Sequence, residues 1–266
     1  MQVWVYQFYT TQKLTDHTWI GSAYKNYFSM QINISDTLAG VIFPALKKKH
    51  KLDFAQVLSD IQENHPEVAQ APGTARVQAG AAYPGGMLQH GLNVATRFVK
   101  YAQSEEELSG DDLIPDIAGL TVFHHMHIVG PKTKAPQYKE NFLANGARSD
   151  KRPYSLEKDE QTRIALSLQK SMHHVGDFLF YNSLAGSVLP TSLFAMSALK
   201  HWVEHSPYFA PLKPLMYNED ALRAVLAIGG GYSRYEDGTP LHPLTPLLTA
   251  ADHVESLQAQ AAVDGS

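Results

Sequence analysis

The residue types best suited to chemistry lie in LTVFHHMHIVGPK, residues 120–132, where His124, His125 and His127 follow an apolar run that heads into a core. An imidazole buried without a partner costs free energy. Metal ligation satisfies several inward imidazoles at once, because each ring gives one nitrogen to the ion and the other to a nearby acceptor. The plainer alternative is that they bond to backbone carbonyls and water. Two further residues favour ligation. YPGGMLQHGLNVATRF places His90 in the first turn of a helix, on a core-facing side between Met87 and Val94. AADHVES places Asp252 one turn after Leu248, where an unpaired carboxylate would be costly.

These side chains need helices to hold them. Leu88, Leu92, Ala95, Val99 and Ala102 form a stripe that predicts a helix from Met87 to about Gln103. A second helix is expected from Asp112 to Val129, stopped by Gly130 and Pro131, with the histidines at its C-terminal end. Helices are also expected over 157–184, 190–205, 218–228 and 244–258, and Asp53 is a candidate cap for LDFAQVLSDIQEN. Residues 131–156 carry Lys, Arg, Pro and Gly without periodicity and read as a long surface loop. Period-two alternation at Val3 and Val5, and at Met30, Ile32 and Ile34, suggests a small N-terminal hairpin. The reading is a mainly α protein. It has an N-terminal extension over 1–50, a helical domain over 51–260 and a disordered tail over 261–266.

At 266 residues and 44% hydrophobic, the chain can bury a sizeable core. A net charge of -4 argues against a general nucleic-acid binder, although a local basic groove remains compatible with it. The absence of cysteine removes disulfides, thiolate metal sites and cysteine nucleophiles, and it fits a reducing cytoplasm. No 18-residue apolar run is present, so no membrane span is expected.

The ordered set PGGMLQHGLNVA, LTVFHH and LLTAADHVES resembles the HD-domain superfamily of metal-dependent phosphohydrolases over about residues 80–260. The resemblance implies a helical bundle in which His90, the His124–His125 pair and Asp252 converge on metal. It implies hydrolysis of a phosphoester or phosphodiester in a nucleotide or nucleic acid. The chain departs from the family where His125 stands in place of the Asp of the His-Asp pair. It departs again where Gly229 and Gly230 stand in place of a His-His pair that serves a second metal, which leaves that second ion without its ligands. A set of three imidazoles and one carboxylate suits one divalent transition metal, such as Zn, Mn, Fe, Co or Ni, better than Mg.

The same resemblance implies one further His, a ligand or proton-transfer group, with His174 the first choice and His173 the second; His127 is a further candidate for proton transfer, and His173 is also a candidate substrate contact. Lys132 and Arg148, in the basic loop, are candidates to neutralise phosphate charge. HWVEH sets His201 and His205 one helical turn apart, but Glu204 is not placed as in a metalloprotease helix. GGGYS lacks the preceding strand and the Lys of a phosphate loop. Two alternatives stay open. One is a relaxase-like DNA-processing protein of HD type, and the other is a degenerate HD fold that binds nucleotide or acts as a scaffold. Association into a homo-oligomer also stays open.

Overall fold

The computed structural model describes residues 32–75, 80–131, 136, 138–144, 149, 153–156, 191–226, 228 and 242–264. Within them the protein is mainly α, and residues from Ile32 onward belong to one compact unit. Val3, Val5 and Met30 of the expected hairpin, and the helix expected over 157–184, lie outside the described residues. Ile32 and Ile34 form no strand and pack partly buried against the core.

The first helix opens with a π-helical turn, Leu38–Ile42, and continues as α1, Phe43–His50. Leu38, Ile42, Phe43 and Leu46 are buried in the same core as the helices that follow. Asp53 caps α2, Phe54–Asn64, by accepting a hydrogen bond from the Gln56 amide at 3.3 Å. Phe54, Val57, Leu58 and Ile61 of α2 share the inward face that their spacing predicts. After the single turn α3, Pro66–Ala69, comes the central helix α4, Gly86–Ser104. Its apolar residues Met87, Leu88, Leu92, Val94, Ala95, Phe98, Val99 and Ala102 are all at most 1% exposed. Burial on this scale, about 1.5–3 kcal/mol for each large side chain, makes α4 the axis of the core.

Helix α5, Ile114–Thr121, is shorter than its apolar pattern predicts. In a continued helix the Thr121 carbonyl would accept the His125 amide. Here it accepts the His124 amide at 3.1 Å and His124 Nδ1 at 2.6 Å. The side chain competes for a backbone acceptor, and the ladder tightens into i→i+3 turns. His124 and His125 therefore lie in a turn, and His127 lies in the 3-10 segment Met126–Ile128.

The region expected to be an unstructured loop contains a strand pair. β1, Tyr138–Glu140, pairs antiparallel with β2, Tyr154–Leu156, through Tyr138↔Leu156 and Glu140↔Tyr154. A pair this short has too few residues to show an alternating pattern, and it is fixed by burial of Tyr154, 1% exposed. Helices α6, Thr191–His205, α7, Lys213–Met216, and α8, Glu219–Leu226, then pack on the core, and α9, Thr245–Asp264, closes the chain. α9 runs past 258 through Gln260, Ala261 and Ala262, strong helix formers that extend it into the stretch expected to be a disordered tail.

Asp116 in α5 is fully buried yet well partnered. It contacts Lys49 Nζ at 3.1 Å and His50 Nε2 at 2.9 Å, and it accepts a hydrogen bond from Asn218. This carboxylate joins α1 to α5 and to the start of α8. Asp116→Ala is expected to cost about 2–3 kcal/mol of stability, because it leaves these donors without their acceptor. The check is a lower urea midpoint at unchanged slope; an unchanged midpoint would mean that the clamp contributes nothing.

Candidate metal centre

Two parallel helices and one turn build the site. His90 projects from the first turns of α4, and Asp252 projects from α9. A polar ladder holds these helices in register: His90 Nε2 meets Asp252 Oδ1 at 3.1 Å, Asn93 donates to Glu255 at 2.7 Å, and Arg97 donates to Glu255 at 3.0 Å. The partner numbers rise together, so the helices run in the same direction. The turn after α5 brings His124 and His125 against them. Its approach to α4 depends on Gly91, where an added Cβ would lie 2.1 Å from the Val122 carbonyl oxygen.

His90, His124, His125 and Asp252 each offer one ligand atom, and these atoms all lie within 4.8 Å of one another. The ring nitrogens are oriented. A carbonyl can only accept, so His124 Nδ1 donates to Thr121 and His125 Nδ1 donates to the Gly73 carbonyl at 2.9 Å. In the neutral ring the remaining Nε2 then carries a lone pair, and this is the tautomer in which a histidine binds metal. His124 Nε2 is buried 3.3 Å from Asp252 Oδ1 but makes no directed hydrogen bond. A buried lone pair facing a carboxylate is unfavourable until a cation lies between them, so the residues fit a metal ion. The group could hold one, and the donor set of three nitrogens and one oxygen suits a transition metal.

The Gly73 carbonyl is itself held in place. Gly73 N donates to the Ala81 carbonyl at 2.8 Å, and an added Cβ at Gly86 would lie 2.2 Å from that same oxygen. Gly73, Ala81 and Gly86 thus form the backbone support for His125.

The electrostatics follow from crowding. Burial alone would raise the Asp252 carboxyl, but N–H or cationic character at the facing nitrogens of His124 and His90 outweighs it and holds it far below the usual carboxylate range, the same electrostatic demand that a bound cation meets. Part of His125 reaches the surface, yet its ring is packed among the other imidazoles. Burial first, then His124, His90 and His127, holds it well below the ordinary histidine value against the pull of Asp252. His127 is buried with Nδ1 unpartnered, its ring centroid 5.5 Å from that of His125. Burial and then His124 bring it down to about 4.

A pH dependence follows for metal-stripped protein. Above the unfolded value of about 6.5 His127 is neutral in both states and contributes nothing. As pH falls from about 6.5 to about 4, the unfolded chain takes up the proton first, so stability drops by about 3 kcal/mol. Urea midpoints recorded across this window should fall less steeply in His127→Asn than in the wild type. Equal slopes would show that His127 is not held neutral.

Of the residues expected to act, the structure brings together His90, His124, His125 and Asp252, with His127 beside them. Lys132, Arg148, His173, His174, Gly229 and Gly230 lie outside the described residues. The Thr121 and Gly73 carbonyls, Gly91 and Glu255 were not anticipated. Only Gly91 carried a signal, since a glycine inside a helical pattern implies a packing reason.

Comparison with protein-family models, with curated proteins and with solved structures finds no match. The class of protein is therefore defined by its own geometry: a mainly α chain with a three-histidine, one-aspartate group of metal-binding spacing. No described helix is long and apolar enough to cross a membrane.

Proposed function

We propose that the protein is an HD-like helical hydrolase, dependent on one divalent transition metal, that cleaves a phosphoester or phosphodiester of a nucleotide or nucleic acid. The observation that carries the proposal is the convergence of His90, His124, His125 and Asp252, with His124 and His125 tied back through Nδ1 to backbone carbonyls. In such a centre the rings of His124 and His125 are already oriented for an ion, while His90 Nε2 exchanges its contact with Asp252 for it. When bound, a divalent ion supplies Lewis acidity for a phosphoryl oxygen and lowers the pKa of a nearby water.

The replacement of a carboxylate by His125 has an electrostatic consequence. Three neutral imidazoles and one carboxylate around a divalent ion leave a net charge of about +1, where a second carboxylate would leave none. That surplus favours an anionic substrate such as a phosphate ester. Asp252 supplies the one negative charge and holds His90 in place. His127 stays neutral at the edge of the group and offers a hydrogen bond to water or substrate. Lys132 and Arg148 are assigned to phosphate charge on the basic character of their loop, and His174 to proton transfer and His173 to substrate contact on the sequence alone.

The test is a screen of nucleotides, a phosphodiester and single-stranded DNA across Zn, Mn, Fe, Co and Ni, with wild type and His124→Ala compared at equal foldedness. Turnover that is lost in His124→Ala supports the hydrolase. Metal retention without turnover under every condition would overturn it in favour of a closed structural or nucleotide-binding centre, in which four protein ligands leave no position for water. Salt-dependent binding and nicking of single-stranded DNA would move the reading to a relaxase-like activity.

A further inference from the structure

Helix α6 ends in HWVEH, with His201 and His205 one turn apart. Their rings stack, with centroids 4.1 Å apart and planes inclined by 18°. His205 Nδ1 donates to the His201 carbonyl at 2.8 Å, which fixes that ring and leaves Nε2 with its lone pair in the neutral form. His205 is exposed and His201 partly so, hence the pair faces solvent. Glu204 is engaged elsewhere: it accepts hydrogen bonds from Lys200 and, at 2.8 Å, from the Tyr217 hydroxyl.

We propose that His201 and His205 form a second, surface site that chelates a late transition metal ion, such as Cu(II), Ni(II) or Zn(II), through two imidazole nitrogens. The site is separate from the interior centre, whose ligands come from α4, the turn after α5, and α9, and it does not rest on the hydrolase reading. One ion bound by two imidazoles at about 2.0–2.1 Å requires nitrogens roughly 3–3.5 Å apart. Stacked, near-parallel rings direct their in-plane lone pairs side by side, so the pair takes an ion by leaving the stack, through side-chain rotations that the exposure of His205 and the partial exposure of His201 leave open. The tautomer of His205 is set before the ion arrives, as the carbonyls of Thr121 and Gly73 set those of the interior ligands. Imidazole donors favour the late transition metals over Mg and Ca. The other coordination positions face solvent and take water.

Equilibrium dialysis against Ni(II) tests this on the full chain. Wild type is expected to bind two equivalents, the weaker of which is lost in His205→Ala and in His201→Ala, while the interior variant Asp252→Ala retains the weaker one. Nickel should also raise the thermal midpoint of Asp252→Ala but not that of the Asp252→Ala, His205→Ala double variant. Where the interior variant does not fold, Cu(II) electron paramagnetic resonance of wild type against His205→Ala decides. A difference spectrum with coupling to two nitrogens supports the pair. Unchanged stoichiometry in His205→Ala, or identical copper spectra, would overturn it.

Discussion

Asp252→Ala is expected to lower the affinity of the interior centre for Zn(II) by at least about a hundredfold. The loss of a group that merely orients a ligand already costs about 10–100-fold. Asp252 is expected to cost more, because it is the only charged member of a set otherwise made of imidazoles. It is also the residue that both His90 Nε2 and His124 Nε2 face, at 3.1 and 3.3 Å, so its removal takes the one anionic group away from the ion those nitrogens would share with it. A chelator competition titration in a His205→Ala background isolates the interior site from the surface pair. An affinity within about threefold of the parent would show that Asp252 is not a ligand.

Gly91→Ala is expected to cost about 3 kcal/mol, at the upper end of ordinary overpacking. The new methyl would meet the Val122 carbonyl oxygen at 2.1 Å and its carbon at 2.7 Å. These are backbone atoms of the turn that carries His124, so the strain cannot be relieved by turning a side chain. The turn must move away from α4, and His124 and His125 move with it, so metal affinity should fall together with stability. Gly40→Ala is the control: nothing lies within 4 Å of its added Cβ, and in a helical segment alanine should be neutral or stabilising by up to about 1 kcal/mol. Urea midpoints should therefore fall for Gly91→Ala and stay level or rise for Gly40→Ala. A Gly91→Ala protein as stable as wild type would contradict the close packing of helix and turn.

The helices that carry the site were legible because their apolar residues repeat at helical spacing. Leu92, Val99 and Ala102 point inward as the stripe along α4 predicts, and Asp53 caps α2 as its position before Phe54 suggests. Three of the ligand candidates were legible for a related reason: His90, His124 and Asp252 continue apolar stripes, where a polar residue requires a partner, whereas His125 was included on the resemblance of LTVFHH. The supports of the site were not legible, because they are backbone groups. Nothing in the letters of Gly73 or Thr121 says that their carbonyls will accept from His125 and His124. The same bond explains the early end of α5, since a side chain competing for a carbonyl leaves the apolar pattern intact while the helix stops. Asp116 was missed because its partners, Lys49, His50 and Asn218, come from distant parts of the chain.

The proposed centre holds a single ion between three imidazoles and one carboxylate. X-ray absorption of the His205→Ala protein loaded with one equivalent of Zn(II) tests it most directly. A nitrogen and oxygen shell at about 2.0–2.1 Å with the multiple scattering of three imidazoles is expected, reduced to two in His124→Ala. A spectrum of the hydrated ion, or an imidazole count that His124→Ala leaves unchanged, would contradict it.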